Sequence, residues 1–155
     1  MSDLRPELGD FSSIVCFKAV VTGVEETLGK AAARVALVSA GRKRGVNLVG
    51  SLGLTGKGND LDTACQMIAA ALGSDGTRLC NVHSIRQEGD VIRVVVSDTV
   101  CMAGEADGSD RLCTFTLGAV QGALEALTGR KLKGNHTASR WRGAADDVFE
   151  FVDRA

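Results

Sequence analysis

Residues 113–130 read CTFTLGAVQGALEALTGR. Leu117, Val120, Leu124 and Leu127 recur at intervals of three and four, which places them on one stripe of a helix. Gly118 and Gly122 lie four residues apart on the same segment. The spacing returns upstream in AGRKRGVNLVG, residues 40–50, where Gly41 and Gly45 interrupt a second helical pattern that starts at Lys30 and carries Val35, Val38 and Leu48. A glycine in a helix interior costs roughly 1 kcal/mol relative to alanine, so such a pair marks either a kinked, weak helix or a face that another helix approaches closely. That approach can lie within the chain or across a dimer.

Outward from these two segments, Ile14, Phe17, Val21, Val24 and Leu28 form one face of a helix over residues 11–28, with Gly29 as its stop. Asp60 or Asp62 caps LDTACQMIAAALG, residues 61–73, whose Cys65, Ile68 and Leu72 share a face. The period then changes. Residues 79–86 and 91–96 are β-branched or alternating, with turn chemistry at QEGD, residues 87–90, and TVCMAG, residues 99–104, extends the second strand. After a polar loop at DGSDRL, residues 107–112, and the helix already described, KLKGNHTASR and DVFEFV flank a turn at WRGAAD, residues 141–146. The order is three helices, two strands, a helix and two strands. This predicts an α+β fold in which two hairpins make one four-stranded antiparallel sheet packed with helices. Phe149 and Phe151 are expected to face the helices together, with Glu150 opposite.

The composition bounds the function. A length of 155 residues, 45% of them hydrophobic, suits a single domain over residues 1–155, with residues 1–10 expected to be flexible. Only 4% are aromatic and none is tyrosine, so the core is aliphatic and alanine-rich. A formal charge of −1 supplies no broad positive field, which argues against a nucleic-acid partner. No apolar run approaches the roughly 18 to 20 residues of a membrane span, and MSDLRPELGD lacks a secretory pattern. No membrane association and a cytoplasmic location are therefore expected. Five widely spaced cysteines, Cys16, Cys65, Cys80, Cys101 and Cys113, are no disulfide framework and read as mostly small buried hydrophobes.

SLGLTGKGND, residues 51–60, fails as a phosphate-binding loop. Ser51 replaces the first glycine of the pattern and Gly58 follows Lys57 where Ser or Thr is required, so the segment reads as a flexible connection. Two histidines in ordinary surroundings define no catalytic triad, and a Cys113–His136 pair is only a spatial possibility. The adjacent acids Glu25–Glu26 and Asp146–Asp147 read mainly as solvated surface. Enzymatic activity has little support in these residues. His83 shares an alternating face with Leu79 and Ile85, where a hydrogen-bonded core histidine is the expected reading, and Trp141 between Arg140 and Arg142 reads as a half-exposed hairpin plug.

Several stretches together resemble the 4-vinyl reductase-type, hydrocarbon-binding domain, a relative of the ligand-binding domains of haem-NO sensors and of the TRAPP subunits of Golgi transport. The likeness lies in CTFTLGAVQGALEALTGRKLKG, which is similar to the family's cysteine that opens a Gly-x-x-x-Gly helix ahead of a strand. SRWRGAADDVFEF is similar to its final glycine-turn hairpin, and ALVSAGRKRGVNLVG to its paired-glycine helix. The resemblance implies a module that encloses a small apolar molecule, with Phe115, His83 and Trp141 as candidate ligand contacts. A homodimer is expected because the helices over residues 11–28 and 30–49 are apolar or small over more surface than one thin sheet can cover, and a sensing module would report through another protein. Two alternatives stand beside it, a dimeric TRAPP-like scaffold without ligand and an accessory role in tetrapyrrole metabolism.

Zinc-binding members of that family use the helix-opening cysteine, a Glu three residues before a second Cys on the next strand, and a last Cys eight residues further on. By position these places hold Cys113, His136, Ser139 and Asp147. Cys113, His136 and Asp147 are each competent zinc ligands, whereas Ser139 is a poor one and lies on the opposite face from His136 in an undistorted strand. No cofactor is favoured, and loss of the metal is the preferred reading, with zinc as the alternative.

Overall fold

The computed structural model describes residues 4–11 and 13–155. Helix α1 spans Ile14–Leu28, α2 Lys30–Ser51 and α3 Leu61–Leu72. Strands β1, Asn81–Glu88, and β2, Val91–Ser97, form the first hairpin; α4, Phe115–Thr128, leads into the second, made of β3, Leu132–Ala138, and β4, Asp147–Asp153. The sheet order is β1-β2-β4-β3 with every pair antiparallel, so the two hairpins join through β2 and β4. This is the α+β arrangement the sequence predicts.

Both glycine pairs serve one contact inside the chain. A Cβ on Gly41 or Gly45 would sit 2.1 Å from the carbonyl oxygen of Phe115 or Ala119 on α4, and one on Gly118 or Gly122 would sit 2.2 or 2.0 Å from that of Val38 or Arg42 on α2. The helices therefore run side by side in the same direction with backbones in contact. Arg42 Nε donates to Glu125 Oε2 at 2.5 Å across this seam, and the buried Glu125 also accepts from the Leu132 amide at 2.8 Å, which fixes the start of β3 to α4.

The layer between α4 and the sheet is the core. Ile92, Val94, Val96, Phe149 and Phe151 face Leu117, Val120 and Leu124 with no more than 1% exposure. Alternation accounts for this face, since Glu150 stays half-exposed between the two phenylalanines. Asp60 caps α3 by accepting from the Thr63 amide at 2.7 Å, and the Gly73 amide closes its other end on Ala69.

Two local expectations change. TVCMAG does not extend β2: Asp98 takes a left-handed φ of 51°, which ends the strand, and Val100–Met102 form a buried 3-10 turn. The segment read as a flexible connection is pinned, with the Gly56 and Gly58 amides donating to Ala126 and Leu127 of α4. Of the N-terminal ten residues, 1–3 lie outside the described residues, and 4–10 form a turn in which Asp10 accepts from the Leu4 and Arg5 amides.

Candidate functional site

Two places collect the chemistry of this chain. The first is a cleft of about 500 Å³ between the start of α1, the glycine-faced side of α2, the first turns of α4 and the segment that follows α3. Its wall is apolar because each element contributes its inward aliphatic or aromatic position: Phe17, Leu48, Leu72, Leu79, Val100 and Phe115. Phe17 meets Phe115 edge to face with ring centroids 5.2 Å apart, which holds α1 against α4 at one end of the cleft. Arg44, Thr77, Arg78 and Asp10 supply the polar lining. Among the described residues the lining contains no histidine, cysteine or methionine, and the chain has no tyrosine, so the described lining offers none of the side chains that usually hold a haem iron.

Phe115 thus lines the cleft, whereas the other two residues singled out as ligand contacts lie elsewhere. His83 is the extra residue of a bulge in β1, where the pairing passes from Val82↔Val96 to Ser84↔Val95. The bulge reverses the alternation, so Val82 and Ile85 are both buried while His83 is exposed, its Nε2 2.6 Å from Ser97 Oγ. It does not share the face of Ile85. Trp141 is half-buried in a 3-10 turn, Arg140–Arg142, with the Arg140 guanidinium 5.1 Å from its ring centroid, and lies outside the cleft lining.

The second place is where Cys113, His136 and Asp147 converge. One ligand-type atom from each lies within 4.8 Å of the others, and all three residues are buried. The convergence comes from the fold, as Cys113 precedes α4 while His136 and Asp147 sit on paired strands facing α4. A second bulge, between His136 and Ala138, turns Ser139 inward as well, so His136 and Ser139 do not lie on opposite faces. Asp147, read from sequence as surface, is only 2% exposed.

Hydrogen bonding fixes the state of this cluster. The Cys113 amide donates to His136 Nδ1 at 3.0 Å, which leaves the ring proton on Nε2, 3.0 Å from Asp147 Oδ1. Burial pushes the Asp147 carboxyl up, but the hydrogen bonds from His136 and Ser139 and the nearby Arg142 outweigh it and hold the group below the usual carboxylate range. Burial, reinforced by Cys101, pushes the Cys113 thiol well above its ordinary value, and its Sγ lies 3.4 Å from Thr99 Oγ1. Burial likewise drives the Cys80 thiol up to about 12, with Cys101 adding to the effect. These are protonated thiols, unsuited to nucleophilic attack.

As arranged, the donor set does not fit a divalent metal. A neutral imidazole that ligates through Nε2 carries its proton on Nδ1, which here would point at the Cys113 amide N–H, donor against donor. Ligation through Nδ1 would require the metal to take the place of that amide. The same contacts make a good metal-free clamp that ties the start of α4 to both strands of the second hairpin.

A further recess, between α1, α2 and the loop before α4, is lined mostly by charged residues that pair with one another. Arg111 donates to Glu25 and Glu105, and Lys18 Nζ lies 2.6 Å from Glu105. Burial alone would raise the Glu105 carboxyl, yet hydrogen bonds from Lys18, Ser109 and Arg111 bring it down to about 2.

No family model matches the chain, and no curated protein does. Solved structures do. The chain is similar to the phenol-responsive sensory domain of the transcription activator PoxR with phenol, at 15% identity and a TM-score of 0.70, covering 93% of this chain and 76% of that one. It is also similar to a trafficking protein particle complex subunit 3 from Naegleria fowleri covalently bound to palmitic acid, at 13% identity and a TM-score of 0.58 over 92% of this chain and 98% of that one. A third is an H-NOX protein from S. oneidensis in the Fe(II)NO ligation state, at 13% identity and a TM-score of 0.61, covering 99% and 83%. At these identities the likeness shows a shared fold.

Proposed function

We propose that this protein is a small-molecule binding module that takes an apolar ligand into the cleft beneath α1 and passes its occupancy to another protein. The observation that carries the reading is the cleft itself. Its volume of about 500 Å³ falls in the range of small-molecule sites, and its wall is aliphatic and aromatic with a few polar groups at one side. The similar PoxR domain is described as phenol-responsive and the similar trafficking subunit carries palmitic acid, both apolar or amphipathic compounds. Membership of the 4-vinyl reductase-type family is part of this proposal and rests on the helix-opening Cys113, the paired-glycine helices and the closing hairpin.

Ligand binding has a direct route to the surface. α1 covers the cleft through Ile14 and Phe17, and it is tied to the body by the α2 seam, by Lys18, which pairs with Glu105 and donates to the Cys101 and Ala103 carbonyls, and by the Arg111–Glu25 pair. Val15, Val20 and Leu28 of α1 and Val35 of α2 are exposed aliphatics on this hairpin. In this reading they form the contact with a second copy of the chain, so that a shift of α1 reaches a dimer interface. Among the described residues no helix is long and apolar enough to cross a membrane.

Native mass spectrometry of freshly purified protein tests the proposal. A retained apolar compound, lost in a Leu48→Trp, Phe115→Ala double variant that still folds, is the expected result. A bare protein mass under every gentle condition, with no uptake of added alkanols or phenols, favours the scaffold reading instead. Light scattering at high micromolar concentration tests the dimer, and a monomer there removes that part.

A further inference from the structure

The cleft has a charged edge that an uncharged ligand would leave unused. Arg44, from α2, and Arg78, from the segment after α3, both line it, and neither forms an ion pair among the described residues. Both are exposed, which places their charge at the mouth while the aliphatic wall lies deeper. Asp10, the one carboxylate of the lining among the described residues, is occupied with the Leu4 and Arg5 amides.

Arg78 is held there at a cost. Its φ of 55° is one of two positive values at non-glycine residues in the described chain, a conformation that costs an L-residue roughly 1–2 kcal/mol and that glycine or asparagine adopts more readily. The side chain is oriented by two contacts, Nε donating to the Ser74 carbonyl at 3.2 Å and the guanidinium lying 4.7 Å from the Phe11 ring centroid. Neither contact occupies the outer guanidinium nitrogens, which keep the planar pair of donors that matches a carboxylate.

We infer that the ligand of this cleft is an amphipathic anion, an apolar chain or ring bearing a carboxylate, with the apolar part against Leu48, Leu72, Leu79 and Phe115 and the carboxylate between Arg44 and Arg78. The inference rests on the cleft being a binding site and names the class of molecule it takes. Phe11, stacked on Arg78 and itself lining the cleft, then sits over the junction of head and tail.

A matched set of probes separates the two levels of the argument. Octanoate, octan-1-ol and octyltrimethylammonium share a tail and differ in charge, and each is titrated into the full chain by calorimetry below its micellar or solubility limit. The expected order is octanoate tightest, by about tenfold over the alcohol, and the cation weakest, the factor being that of charge-assisted hydrogen bonds at a half-exposed site. Arg44→Gln with Arg78→Gln should abolish the preference for the acid over octan-1-ol. Added salt should weaken octanoate alone. Both arginines are exposed, and an unchanged melting temperature of the double variant checks that the fold survives. Equal affinity for acid and alcohol overturns the anion inference while leaving an apolar cleft. Failure of all three probes to bind overturns the cleft reading beneath it.

Discussion

Gly45→Ala is the smallest change that tests how this fold is held together. The added Cβ would lie 2.1 Å from the Ala119 carbonyl oxygen and 2.7 Å from the Ala123 amide, both backbone atoms of α4. Ordinary contact begins near 3.4 Å, so α2 and α4 must separate by about an ångström along a seam where every neighbour is main chain. Overpacking of this kind costs roughly 1–3 kcal/mol. Against that, alanine gains about 1 kcal/mol over glycine as a helix former. The seam also carries the Arg42–Glu125 pair and one wall of the cleft, which places the net cost at the upper end, about 2 kcal/mol, or a fall in melting temperature of roughly 4–8 °C for a chain of this size. Gly50→Ala in the same helix is the internal control, since its Cβ would meet nothing within 4 Å; it should raise the melting temperature by a few degrees. Circular dichroism melts of the two variants beside the parent read both signs. If Gly45→Ala stabilises the protein as Gly50→Ala does, the backbone contact is not what orders these helices.

Other outcomes follow from single residues. Phe151 is fully buried against Gly134 and Leu117, and Phe151→Ala should cost roughly 3–5 kcal/mol; an unchanged melt would contradict the sheet register. Glu105 titrates at about 2 in the folded protein against an ordinary 4.5, so the stability it contributes is present above pH 4.5 and lost as the pH falls toward 2. Glu105→Gln should flatten that acid limb of the stability profile, and an unaltered slope would show the Lys18–Glu105–Arg111 network to be idle. Elemental analysis of protein purified without chelator or affinity tag should find no stoichiometric zinc or iron, because the His136 tautomer opposes ligation. Metal that disappears in Cys113→Ala and His136→Ala would refute that argument.

The sequence carried the layers of this fold because they are periodic. Intervals of three and four marked α1, α3 and α4, alternation marked Phe149 and Phe151, and two glycine pairs left a kinked helix and a close contact both open, without saying that each pair was the other's partner. What it concealed were breaks in period. The bulge at His83 and the one between His136 and Ala138 each insert a residue that no local pattern announces, and together they move His83 out and Ser139 in. Position in a resembled motif brought Cys113, His136 and Asp147 to attention, but only the Cys113 amide, a group with no residue identity, decides which imidazole nitrogen bears the proton. The cleft was least legible. Its wall draws single residues from every helix region and the turn at Val100, and Arg44 and Arg78, 34 positions apart, had no reason to be read together until α2 and the segment after α3 shared a rim.

Methyl-resolved NMR of the full chain during an octanoate titration tests the central claim most directly, because the cleft wall is rich in methyl groups and the rest of the core supplies controls. The account expects saturable shifts at Ile14, Leu48, Leu72, Leu79 and Val100, with Leu132 and Val148 at the second hairpin unmoved. Shifts centred on the second hairpin or on the outer aliphatics Val15, Val20 and Val35, or no saturable shift at all, would contradict it.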